Sequence, residues 1–156
     1  MATEIERKFL VKGEYKSKAY KSYEIIQGYL CRGCTRTVRV RIRDNQAFIT
    51  IKGPSRDGGL SRFEWEKEIT VDEAKELMTL CEYSVITKRR YLVKEGKHVF
   101  EVDEFYGDNE GLTVAEVELG AVDEEFERPD WLGVEVTGDR RYSNASLSRN
   151  PFKYWL

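Results

Sequence analysis

The stretch Val38-Arg39-Val40-Arg41-Ile42-Arg43 alternates an aliphatic residue with an arginine. In an extended strand, side chains two apart point to one face, whereas on a helix they point nearly opposite ways. The run therefore predicts a strand with one apolar and one cationic face. The same period recurs with the opposite sign in Glu4 and Glu6, Glu64 and Glu66, Glu101 and Asp103, and Glu116 and Glu118. Their neighbours are apolar: Phe63 and Trp65 flank Glu64, while Ala115, Val117 and Leu119 surround the last glutamate pair. A half-buried strand with its charged face in water shows such alternation too. Here each sign is gathered strand by strand, as a water-filled interior for a metal ion and a polyanion requires.

Working outward, strands are expected near 3–11, 22–31, 36–43, 46–52, 61–70, 84–93, 98–106 and 113–120. Asp44-Asn45 and Lys94-Glu95-Gly96-Lys97 read as hairpin turns, so the sheet is largely antiparallel. Asp72 to Leu80 reads as a helix with Asp72 near its cap and Ala74, Leu77, Met78 and Cys81 on one face. Shorter helices are expected around Glu124 to Phe126 and Ala145 to Arg149. Eight strands with converging charged faces satisfy both sides by closing into a barrel, polar inside and covered outside by helices. The fold class is α+β, mainly β: a closed eight-stranded antiparallel barrel.

The chain of 156 residues fits one domain, 1–156. With 35% charged residues and a net charge of -2, it has no basic excess for nonspecific nucleic-acid binding. No apolar stretch is long enough for a membrane span or signal peptide, so the cytoplasm is the default location. Three cysteines argue against a secreted disulfide framework. Cys31 and Cys34 form a Cys-Arg-Gly-Cys pair, but Cys81 and the single histidine, His98, are too remote to complete a zinc site. Gly53 to Gly59 lacks the ending of a P-loop and reads as a mobile loop at the barrel mouth. The aromatic end, Asn150 to Leu156, either packs over the barrel or meets a partner.

At the N-terminus, Thr3 and Glu6 resemble a helix capping box, yet a helix would splay Glu4, Glu6 and Lys8 apart. In a strand they share one face, giving two hard oxygen ligands and an ammonium within reach of one group. Glu4-x-Glu6-x-Lys8 resembles the signature of the CYTH superfamily, the triphosphate tunnel metalloenzymes. The resemblance continues through Gln27-Gly28-Tyr29-Leu30, Arg39 to Arg43, Thr50-Ile51-Lys52, Glu64-Trp65-Glu66, Lys88-Arg89-Arg90-Tyr91, Glu101-Val102-Asp103, Glu116-Val117-Glu118 and Asp139-Arg140-Arg141-Tyr142. It is strongest to the short bacterial members, small eight-stranded tunnels that hydrolyse inorganic triphosphate with magnesium or manganese.

The resemblance implies roles. Glu4, Glu6 and Glu118 match ligands for a Mg2+ or Mn2+ ion, one or two being bound. Glu66, Glu116, Glu64 and Asp103 are candidates to hold a second ion or orient the attacking water, the lesser alternative for Glu64 and Glu101 being to pair with tunnel arginines as spacers. Arg39, Arg41, Lys52, Lys88 and Arg90 match the family's phosphate-binding bases. Arg43 and Arg62 share their parity nearer a mouth, where a surface salt bridge competes with substrate binding. Arg7 and Arg89 have the wrong parity and should face out. Tyr29 is either catalytic or a buried plug with its hydroxyl satisfied, and Lys8 neutralises charge developing on the transferred phosphoryl group.

The expected activity is metal-dependent hydrolysis of tripolyphosphate to pyrophosphate and phosphate, the partner being a small-molecule triphosphate. Class IV adenylate cyclase and thiamine triphosphatase are the enzymatic alternatives on similar tunnels, and a noncatalytic polyphosphate- or nucleotide-binding module is the third. Metal count, preferred ion, oligomeric state and physiological substrate stay open at this point.

Overall fold

A computed structural model describes residues 2–32 and 36–155. The alternating runs form β1 (Ala2–Val11), β2 (Ala19–Arg32), β3 (Thr37–Arg43), β4 (Gln46–Arg56), β5 (Ser61–Ile69), β6 (Glu82–Glu95), β7 (His98–Phe105) and β8 (Thr113–Glu118). They run in the order β5-β4-β3-β2-β6-β7-β8-β1, and an antiparallel pairing of β1 with β5 closes the ring. Every pairing is antiparallel, as the hairpin turns require: Arg43 faces Gln46 across Asp44-Asn45, and Glu95 faces His98 across Gly96-Lys97.

A ninth strand, β9 (Leu132–Glu135), pairs with β1 beside the barrel and was not expected. It has four residues and no run of alternation long enough to register as a strand. β4 also exceeds its expected end. Gly53 to Arg56 belongs to the strand, with a register shift between Lys52 and Ser55, so the expected loop shrinks to a 3-10 turn at Asp57–Gly59.

The helix α1 (Val71–Met78) starts at Thr70 and not at Asp72. The Thr70 side chain accepts from the Glu73 amide at 3.0 Å while Glu73 accepts from the Thr70 amide at 2.9 Å, a reciprocal cap that outcompetes a lone aspartate. The second helix, α2 (Asn144–Arg149), lies where expected and is capped by Ser143. No helix forms around Glu124 to Phe126. There Phe126 reaches back edge-on to Phe9 and Phe100, and Glu124 bonds His98 and the Gly120 amide, so side-chain anchoring replaces helical pairing.

The polarity is that of a barrel turned inside out. One apolar cluster lies outside the β1–β8–β7 wall, where Phe9, Phe100, Val102 and Val117 pack under Trp131 and Tyr15. A second lies outside β3 and β4, where Val40 and Ala47 pack under Ala74 of α1. A third plugs one end of the barrel with Ile86, Phe105, Val114 and Leu147. The C-terminal aromatics join this plug: Trp155 stacks edge-on against Tyr142 and Phe152, so they pack over the barrel. No helix among the described residues is long and apolar enough to cross a membrane.

Candidate functional site

The inward faces of the strands line a cavity of about 680 Å³. Inward parity delivers Glu4, Glu6 and Lys8 from β1 opposite Glu116 and Glu118 of β8, in a register that sets Glu6 against Glu118 and Lys8 against Glu116. This is a carboxylate wall with a single ammonium in it. Glu6 bonds to Glu116, and burial, reinforced by the charges of Glu116 and Glu4, raises the Glu6 pKa well above the usual carboxylate range. Glu116 goes the other way. Although burial opposes its charge, Lys8 and the hydrogen bond from Glu6 hold it ionised. Burial also raises Glu4, against the pull of Lys52 at 3.1 Å, and raises Glu118, whose carboxylate neighbours add to the effect.

Among the described residues, no three carboxylate, histidine or cysteine side chains are already drawn together as a coordination shell. The donor set nonetheless fits a hard divalent cation. Buried carboxyls that must retain a proton for lack of positive charge are the groups an incoming cation would let ionise.

The opposite wall is basic. Arg39 and Arg41 of β3 stand beside Tyr29 and Gln27 of β2, to which they are paired in register. Arg41 donates through Nε to Gln27 Oε1 at 2.8 Å, and Arg39 donates to Thr50 Oγ1 at 3.3 Å. Arg39 is 7% exposed and its Nε has no hydrogen-bond partner. A largely buried guanidinium on a cavity wall is poised for an anion. Burial, and then the proximity of Arg39 and Arg90, disfavour the Arg41 cation and draw its pKa down to about 9. Lys52 lies between Glu4 and Glu64, and Glu66 accepts from Thr50 at 2.8 Å.

Lys88 and Asp103 lie behind the lining instead of in it. Asp103 accepts from Arg90 Nε at 2.7 Å, from Arg90 Nη2 at 2.9 Å and from Lys88 at 2.7 Å. Its pKa falls to about 2, since Arg90 and Lys88 more than offset the cost of burial. Lys88 is fully buried and its pKa is drawn down to about 7, first by desolvation and then, against Asp103, by Arg90 and Arg41. Lys88 also donates to Asn144 Oδ1 at 3.0 Å. Arg90 itself does line the cavity and pairs with Glu101 at 3.2 Å.

The remaining expected residues fall as parity requires. Tyr29, 4% exposed, lines the cavity with its hydroxyl accepting from the Gln27 amide at 3.3 Å. Arg43 and Arg62 line it too, whereas Arg7 lies outside in a two-bond pair with Glu135, and Arg89 bonds Ser22. Cys31 is an exposed free thiol, Cys81 is free and partly buried, and Cys34 lies outside the described residues.

Several lining residues escape strand periodicity. Arg140, Arg141, Asn144 and Arg149 come from the 3-10 turn Arg140–Tyr142 and from α2, which fold across one end of the tunnel. Lys8 donates to the Tyr142 carbonyl at 3.4 Å, tying this segment to the carboxylate wall. Thr50 and Gln27 were within reach of a parity argument, being in step with Lys52 and Tyr29, yet their neutrality hides them beside the charges.

The chain is 48% identical over 155 residues to an inorganic triphosphatase of Acetivibrio thermocellus, a match covering 98% of this chain and 97% of that protein. It is 38% identical over 152 residues to an inorganic triphosphatase of Nitrosomonas europaea, covering 94% of this chain and 97% of that protein. A crystal structure of an inorganic triphosphatase matches the fold with a TM-score of 0.68 at 34% identity, covering 95% of each chain. The CYTH domain matches residues 2–149, and with a tunnel of facing acids and bases this chain belongs to the CYTH domain family.

Proposed function

We propose that the protein hydrolyses inorganic triphosphate to pyrophosphate and phosphate with the aid of Mg2+ or Mn2+. The observation that carries this reading is the confrontation, across one closed cavity, of Glu4, Glu6, Glu116 and Glu118 with Arg39, Arg41, Lys52 and Arg90. A tripolyphosphate carries about four negative charges near neutral pH, and fixed cations in a low-dielectric cavity hold such an anion strongly. The two relatives named as inorganic triphosphatases support the substrate.

Glu4, Glu6, Glu116 and Glu118 would hold the metal, with Glu64 and Glu66 on the neighbouring wall as donors for a second ion. When bound, the ion offsets phosphate charge and polarises the phosphorus–oxygen bonds. The chain's own part is positioning. Arg39, Arg41, Lys52 and Arg90 hold the phosphate oxygens, and Lys8 stabilises charge on the terminal phosphoryl group. Tyr29, whose hydroxyl carries a long bond from Gln27, orients the water that attacks the terminal phosphorus as the bridging oxygen leaves with pyrophosphate. Asp103 and Lys88 serve as the braced pair that fixes Arg90.

The test is phosphate release from tripolyphosphate with each ion, alongside Glu4→Ala. Metal-dependent release that Glu4→Ala reduces at least about a hundredfold supports the reading. Absence of release, or an indifferent Glu4→Ala, overturns it. Formation of cyclic AMP from ATP would assign a cyclase instead.

A further inference from the structure

The cavity, at about 680 Å³, is roomy enough for a nucleotide as well as a bare phosphate chain, so volume alone does not select between them. Selection has to come from the chemistry of the lining. A nucleobase binds by laying its flat face on an aromatic ring or a free guanidinium plane, whereas a phosphate chain has no such face. Tyr23 and Tyr29 are the two aromatic residues lining the cavity among the described residues. Both are buried, Tyr29 at 4% and Tyr23 at 7% exposed, but Tyr29 stands beside Arg39 and Arg41, where the phosphate chain itself is held. That leaves the Tyr23 ring as the platform.

The Tyr23 platform is already taken. The Arg43 guanidinium lies 5.2 Å from the Tyr23 ring centroid and 5.1 Å from that of Phe48, and Arg43 Nη2 donates to Gln46 Oε1 at 3.3 Å. The Lys21 ammonium lies 6.0 Å from the same Tyr23 ring. The backbone places these groups together: Arg43 pairs with Ile25 on β2, two residues past Tyr23, and with Gln46 on β4, two residues before Phe48. Contact with two rings and a bonded end hold a guanidinium that a lysine could not hold in the same way.

We infer that Arg43 is a specificity-determining residue that masks the Tyr23 ring, so that the tunnel rejects the base of nucleoside triphosphates while admitting the unsubstituted chain. This rests on the triphosphatase reading above and goes further, by naming what excludes the competing substrates. The masking is steric and electrostatic: a base would have to displace a cation from two π-faces before it could stack.

The experiment compares kcat/KM for ATP and for tripolyphosphate, with Mg2+ and with Mn2+, in the full chain. Arg43→Ala should raise the ratio of ATP to tripolyphosphate roughly tenfold or more, the scale of one base–aromatic stack. Arg43→Lys, which keeps the charge and loses the planar face, should raise it by less. Tyr23→Leu added to Arg43→Ala should return the ratio to near the wild-type value, because the uncovered platform is gone. A phosphate-binding role for Arg43 would lower both substrates together and leave the ratio unmoved in all variants, which overturns the inference. Wild-type protein that releases no phosphate from tripolyphosphate overturns the triphosphatase reading and this inference with it, whereas an active wild type with an unmoved ratio overturns the masking alone.

Discussion

Lys8 on β1 lies opposite Glu116 on β8 with its ammonium 3.9 Å from the carboxylate, while burial and the Glu116 charge raise the pKa of the neighbouring Glu6. The two carboxyls shift in opposite directions, Glu6 up and Glu116 down, which is how adjacent buried carboxyls limit their repulsion. Lys8, opposite Glu116 in register, decides which of the two is ionised.

The first prediction concerns metal-free stability. Glu6 has a folded pKa raised above its ordinary 4.5, so the native state keeps a proton that the unfolded chain has lost. Stability therefore declines as pH rises from the ordinary value up to the raised one, and is lowest above it. Glu6→Gln keeps the neutral form permanently. It should raise the metal-free Tm at pH 8 by about 2–4 °C, roughly 1 kcal/mol, while abolishing the further rise that Mn2+ produces in wild type. Thermal melts with and without metal check both parts.

The braced pair makes a second prediction. Asp103 is the shared acceptor for Arg90 and Lys88, so Asp103→Asn leaves the buried Arg90 guanidinium short of a counter-charge and should cost about 3–5 kcal/mol. The sign with pH is opposite to that of Glu6. A carboxylate lowered from 3.8 to about 2 contributes stability that is complete above the ordinary value and lost as pH falls through the folded one. Acid denaturation should thus lose a component between those values in Asp103→Asn, measurable by circular dichroism against pH.

Arg39 lines the cavity, and Arg39→Ala removes a charge-assisted bond to the anion. KM for tripolyphosphate should rise roughly tenfold to a hundredfold, with thermal stability little changed because Thr50 retains Glu66 as a partner. Steady-state kinetics beside a melt would separate the two.

Gly138 joins β9 to the segment that crosses the tunnel end. Its φ is +83°, and an added Cβ would overlap the Gly58 carbonyl oxygen of the β4–β5 turn. Gly138→Ala should cost about 2 kcal/mol or more and loosen the segment that carries Arg140 and Asn144. Limited proteolysis between 138 and 150 would report it.

How far a residue's place can be read from the chain varies with what specifies it. Arg39, Arg41, Glu4, Glu6, Glu116 and Glu118 line the cavity because two-residue alternation dictates which side of a strand each occupies, and an apolar face on every strand forces the charged faces to converge. Thr70 could have been found as the helix cap from Glu73 three residues on. The end of β4 could not, since Gly53-Pro54 reads as a turn and only cross-strand partners such as Arg62 and Ser61 keep that backbone extended.

Strand identity and inward parity are local properties, determined by side-chain period, whereas closure depends on the distant pairing of β1 with β5. The partner of each charge is not local. Asp103 and Lys88 have the parity of tunnel ligands, yet bind each other behind the wall because neighbouring strands bring Arg90 and α2 brings Asn144 to the same spot. Arg140 and Asn144 reach the cavity by a connection between elements far apart in the chain, and Arg43 lies against Tyr23 because β2 is its neighbour. A two-residue period assigns a face, and only the packed strands decide which opposite charge, ring or cavity that face meets.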